Sequence, residues 1–162
     1  MTDAARHTFL ELSSAVTGFS VAELQATGMQ DTYYEVVARV FGTGLLGQLF
    51  SAWESIGENA ELLEDQIEKV LVTDKKFGPM TKNIITLWYL GQWNQMPSDW
   101  RNAYGASAHD VTNIVSSAAY REGLVWPTIG AHPMGAKQPG FASWSAAPIS
   151  NTSERHDGTS TS

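Results

Sequence analysis

"VVARVFGTGLLGQLF", residues 36–50, is the stretch whose reading decides the fold. Gly42, Gly44 and Gly47 spell G-x-G-x-x-G directly after an apolar run. In a dinucleotide-binding turn those glycines let the backbone approach a pyrophosphate, with a strand before them and a helix after. "KVLVTD" at 69–74 would then be a second strand, with Asp74 holding a ribose. The competing reading is one helix. Thr32 and Glu35 have the spacing of a capping box just upstream. Val36, Val37, Val40, Phe41, Leu45, Leu46, Leu49, Phe50, Trp53 and Ile56 run through the glycines at helical intervals and cover much of a circumference.

Two features favour the helix. Asp74 lies further on than the usual spacing of about 20 residues, and no alternation of strand and helix follows to build a parallel sheet. On this reading Val40, Gly44 and Gly47 share a face, and the small residues admit a neighbouring helix closely. Each interior glycine costs about 1 kcal/mol against alanine, a deficit that close packing would offset.

Outward from this stretch the pattern stays helical. "DAARHTFLELSSAVTGF" sets Phe9, Leu12, Val16 and Phe19 at helical spacing, with Gly18 as a stop. Ser20 and Glu23 form a capping box for a short helix through about Thr27, closed by Gly28. "GENAELLEDQIEKVLV" reads as an amphipathic helix with Leu62, Ile67, Val70 and Leu71 inward and Glu61, Glu64, Asp65 and Glu68 in water. After a break at "TDKKFGP", "MTKNIITLWYLGQWNQM" is a helix with Ile84, Leu87, Trp88 and Leu90 on its apolar side, ended by Pro97. "SDWRNAYGASAHD" is expected to be loop. A last helix from about Asp110 to Leu124 would bury Val111, Ile114, Val115, Ala118 and Ala119.

Beyond Trp126, "PTIGAHPMGAKQPGFASWSAAP" is rich in Pro and Gly and has no period, yet it carries Ile129, Phe141 and Trp144. It reads as an extended arm with apolar side chains. "ISNTSERHDGTSTS" holds no large apolar residue after Ile149 and is read as a disordered tail. The expected fold class is therefore all-α: about five helices in a compact domain over 1–126, an irregular arm over 127–148, and a tail over 149–162.

Composition narrows the function. The net charge is −7 and no Lys/Arg-rich run occurs, so a nucleic-acid footprint is missing. The absence of cysteine removes disulfides, thiolate metal sites and Cys nucleophiles. No uninterrupted apolar run approaches the roughly 20 residues of a membrane span. Met1 leads into "TDAARHTFLEL", which reads as a helix rather than a signal peptide. The acidic face of Glu61, Glu64, Asp65 and Glu68 lacks the Glu-x-x-His partners of a di-metal site and reads as solvated. His7, His109, His132 and His156 are scattered, G-x-S-x-G does not occur, and His132 in "GAHPMG" reads as a loop histidine. No catalytic, cofactor or metal residue is expected in this chain. Aromatic content is high, with six Trp, six Phe and five Tyr, and Trp and Tyr are favoured interface anchors.

Two stretches carry a family resemblance. "ITLWYLGQW" at 85–93 has a Trp-Tyr-Leu-Gly core, and "YREGLVWPTIGAHPMGAKQPGFASWSAAP" at 120–148 has Leu-Val-Trp, Ile-Gly, His-Pro, Pro-Gly-Phe and a late Trp. Together with "HTFLELSSAVTGF", they resemble the small (gamma) subunits of bacterial membrane-bound FAD-dependent sugar and polyol dehydrogenases. The resemblance implies a helical, non-catalytic subunit that clasps a glucose-methanol-choline-type flavoprotein and assists its maturation and export. FAD and the catalytic histidines would belong to that partner, and a multihaem cytochrome c often accepts the electrons in such complexes. Partner contacts are then expected from Trp88, Tyr89, Tyr120, Trp126, Pro127, Ile129, His132, Pro133, Pro139, Phe141 and Trp144. The family typically carries a twin-arginine signal, and none precedes Thr2 here. With the signal removed the complex would be periplasmic; without one, cytoplasmic.

Overall fold

The computed structural model describes residues 3–56, 62–105 and 107–133. Among these the protein is all-α apart from one two-stranded ladder, and the five expected helices resolve into more, shorter ones. In chain order they are α1 (Asp3–Thr17), α2 (Val21–Ala26), α3 (Gln30–Glu54), α4 (Leu63–Ile67), a π-helical turn (Glu68–Val72), α5 (Phe77–Leu90), β1 (Gln92–Trp93), α6 (Ser98–Tyr104), β2 (Asn113–Ile114), α7 (Ser117–Glu122) and α8 (Val125–Thr128).

The first two helices follow their local signals. Gly18 takes a φ of 78° just past α1, a left-handed conformation that costs glycine nothing. Ser20 caps α2 reciprocally with Glu23, whose carboxyl is held below its usual range by the Ser20 hydroxyl and backbone N–H. Phe9, Leu10 and Leu12 of α1 are buried, and α1 lies against α3 and α5 to form the core.

The stretch 36–50 is helical, as expected, but its details differ. Met29 stands at the N-terminus of α3 with no side-chain bond, and Thr32 lies inside the first turn, so the Thr32–Glu35 capping box does not form the cap. The helix is broken at Gly42, which adopts φ 70° and ψ 170°, a region open in practice only to glycine. Gly44 and Gly47 are exposed, and a Cβ on either would meet nothing within 4 Å. The close helix approach expected there is therefore absent among the described residues. The dinucleotide reading fails as well: 36–41 lies in α3 and 68–72 is a π-helical turn, so neither strand exists. Asp74 instead caps the next helix, its Oδ1 accepting the Lys76 and Phe77 N–H groups at 2.8 Å each. By length and hydropathy α3 could cross a membrane, with a mean hydropathy of 1.2 over its most apolar window. Its residues Tyr33, Val37, Phe41, Leu46 and Leu49 nonetheless belong to the core.

Four further expectations need correction. Leu62 is exposed rather than inward, because helix geometry begins only at Leu63 and the chain turns through α4 and the π-helical turn to bury Leu71. Helix α5 starts at Phe77, since Pro79 fits a first turn that needs no N–H from it; it ends at Gly91 (φ 64°), well before Pro97. "SDWRNAY" is α6, not loop, and buries Trp100, whose Nε1 donates to Lys76 O at 2.8 Å. The single helix expected over 110–124 is a short strand followed by α7. Trp93 pairs with Asn113 and Gln92 with Ile114, antiparallel, and this ladder competes successfully with helix over 111–115. Val111 and Ile114 are consequently exposed, at 56% and 59%, not buried.

Candidate partner-docking surface

The Trp88-Tyr89-Leu90-Gly91 stretch sends each side chain to a different task. Trp88 is fully buried, stacked on Phe9 with ring centroids 6.3 Å apart and edge-on to Tyr33 at 4.9 Å. It is a core residue whose ring is not presented at the surface. Tyr89 spans to α1: its hydroxyl donates to Thr17 O at 2.9 Å and its ring meets Phe19 edge-on. Leu90 is left 46% exposed. Gly91 turns the chain, and a Cβ there would lie 2.5 Å from the Ala119 carbonyl carbon and oxygen. Only glycine allows α7 to sit directly on that turn.

Gly123 permits a second close approach further along the chain, since its Cβ would lie 2.6 Å from Tyr89 O. Between them, Val115 N donates to Gly91 O and Leu124 N donates to Trp88 O, both at 2.9 Å. The end of α5, the ladder, α7 and the start of α8 thus form one tightly bonded end of the molecule. Four of the exposed large apolar residues belong to these elements or follow them: Leu90 from α5, Ile114 from β2, Tyr120 from α7 and Ile129 after α8. Large apolar side chains left exposed on neighbouring elements are where a docking surface is sought first.

The remaining expected contact residues divide. Trp126 is half-buried; it meets Tyr120 edge-on at 5.4 Å, and its Nε1 donates to Tyr120 O at 2.8 Å. Pro127 and Ile129 are exposed, His132 is half-buried and Pro133 buried. Pro139, Phe141 and Trp144 lie outside the described residues. Leu90, Val111 and Ile114 were missed as surface residues, because helical periodicity assigned them to buried faces. The signals that could have corrected this were Gly91 and Gly123, spaced to bracket a turn and a packed helix.

Beside this end runs a groove of about 270 Å³ between the α1–α2 turn and α7–α8, walled by Phe19, Leu124 and Pro127 with Glu122 at its edge. The Tyr33 phenol is pushed well above its usual range, chiefly by burial and secondarily by the Glu122 carboxylate. Among the described residues no group of three or more His, Asp or Glu side chains is arranged to hold a metal ion. Of the acidic stretch, Glu64, Asp65 and Glu68 are exposed, and Glu61 lies outside the described residues. His7 is an exposed i,i+4 partner of Glu11 at 3.2 Å, His109 is exposed on a loop, and His156 lies outside the described residues. No protein family, curated protein or solved structure matches this chain.

Proposed function

We propose that this chain is a non-catalytic small subunit of a heteromeric FAD-dependent dehydrogenase acting on sugars or polyols, binding and stabilising the flavoprotein catalytic subunit and assisting its maturation and export. One observation carries the reading. Of the stretches that resemble the family, Trp-Tyr-Leu-Gly and the described part of the second, residues 120–133, supply the end where Leu90, Tyr120 and Ile129 are exposed, beside Ile114 of β2. Within the chain itself, close backbone approaches at two glycines and two backbone hydrogen bonds tie that end together. Pre-organisation of this sort lowers the ordering cost of association. Binding only the folded flavoprotein would stabilise it by mass action, which is what a maturation factor needs. FAD would reside in the partner.

A free-standing helical adaptor for some other protein would use the same face, and co-expression separates the two. The chain is expressed with and without a candidate flavoprotein partner of the glucose-methanol-choline type, and then as the Ile114→Asp and Leu90→Asp variants. The expected result is co-purification, with flavin loading lost when the small chain is absent and complex yield sharply reduced by either variant. A flavoprotein that is soluble, flavin-loaded and fully active alone, and that does not co-purify, would overturn the assignment.

A further inference from the structure

A second, chemically different recess lies where α3 meets the loop that leads into β2. Val36 and Val40 of α3, in the last turns before the Gly42 break, form one wall. Val111 and His109 of the loop before β2 line it as well, together with Trp93. The recess holds about 370 Å³, room for one large apolar side chain. Its walls are partly apolar, with Val36 and Val40 half-buried and Val111 56% exposed.

The charge at its rim runs against that of the chain. The protein carries −7 overall, yet the ionisable side chains lining this recess are Arg39 and His109, both exposed. Arg39 forms no ion pair with any described residue. Glu35, one turn earlier on the same helix, is instead 3.9 Å from Arg6. The nearest carboxylate from the loop, Asp110, is 3% exposed and turned inward onto the Trp93 and Met96 N–H groups. A partly apolar slot rimmed by a guanidinium with which no described carboxylate pairs complements an apolar side chain flanked by carboxylates, the arrangement that fixes register and orientation in peptide recognition.

We infer that the Arg39–His109 recess docks an acidic segment of another protein through a single apolar anchor. The inference stands apart from the subunit reading, since it concerns a different set of side chains. The probe is a fluorescein-labelled, capped hexapeptide of sequence Asp-Glu-Leu-Phe-Glu-Asp, titrated with the full chain and followed by fluorescence anisotropy. Saturable binding is expected. Arg39→Glu should weaken it by at least about tenfold and Arg39→Gln by less, Val111→Asp should abolish it, and about 0.5 M salt should reduce it. Far-UV circular dichroism of the variants, all at exposed positions, should match the parent. The inference is overturned by any of three results: no saturation up to about 1 mM peptide; equal binding of a peptide with lysines in place of its acidic residues; or affinity unchanged in Arg39→Glu. Displacement of the peptide by an oligothymidylate would reassign the recess to nucleic acid and equally overturn it.

Discussion

Asp110 is the buried hub of the loop that follows β1, and its replacement tests how that loop is held. One oxygen, Oδ1, accepts both the Trp93 Nε1–H at 2.9 Å and the Met96 N–H at 3.0 Å, while Oδ2 makes a second contact to Met96 N at 3.1 Å. Asp110→Ala leaves two buried donors unpaired. At about 1–3 kcal/mol each, the loss is expected to be about 2–6 kcal/mol, a large share of the 5–15 kcal/mol typical of a domain. Asp110→Asn behaves differently. Its amide oxygen can take the Oδ1 position and keep both donors, so only charge assistance and the weaker Oδ2 contact are lost, a cost of about 1–2 kcal/mol. Urea unfolding, followed in parallel by circular dichroism and tryptophan fluorescence, measures both. Trp93 is fully buried and should report loosening through a red-shifted emission in the alanine variant. The reasoning is refuted if the alanine variant loses less than about 0.5 kcal/mol, or if asparagine is worse than alanine.

Three other outcomes rest on the same structure. Gly47→Ala, at an exposed helical position with open space around it, should stabilise the chain by about 0.5–1 kcal/mol in urea unfolding; destabilisation would reinstate a close neighbour there. Gly91→Ala must both adopt a φ of 64° and push into Ala119, so a loss of about 2–4 kcal/mol is expected, with Ile114 and Tyr120 displaced together in amide-exchange measurements. For Tyr33, whose phenol is pushed up by burial, the folded state keeps its proton after the unfolded state releases it. The stability from this group is therefore full below about pH 10 and lost as pH rises above it. Tyr33→Phe should flatten that alkaline decline at little cost at neutral pH, because the buried hydroxyl has no hydrogen-bond partner among the described residues; an unchanged alkaline slope would refute it.

The amphipathic helices were legible because their apolar residues recur at the helical interval and their ends carry local chemistry. Ser20 with Glu23 and Gly18 with Gly28 acted within a few residues of where they stand. What was not legible depends on partners distant in sequence. Periodicity placed Val111 and Ile114 on a helix, but the ladder with Gln92 and Trp93 is made by residues about twenty positions away. Trp100 sits in a polar stretch, and its burial rests on Lys76 and Phe41, far from it in the chain. Gly42, Gly44 and Gly47 spell one motif and do separate things. The first alone sits in a glycine-only conformation, a property of its dihedral angles that no spacing encodes. At the candidate surface the orientation of the side chains was not legible: Trp88 turns inward and Leu90 outward within one turn.

That inward Trp88 makes core and surface one thermodynamic object. Its carbonyl oxygen accepts the Leu124 N–H, so the platform under Tyr120 and Ile129 is hung on the backbone of a tryptophan enclosed in the core. A truncation in the core at Phe9 or Tyr33, the rings that enclose it, would then weaken association without touching any partner. In an alanine scan such positions would score as binding hot spots. Conversely, a saturating partner would raise the unfolding temperature of this chain as well as its own. Melting temperature against partner concentration would thus distinguish residues that contact from residues that merely support: both lower the complex's melting temperature, but only the supporting ones lower that of the isolated chain.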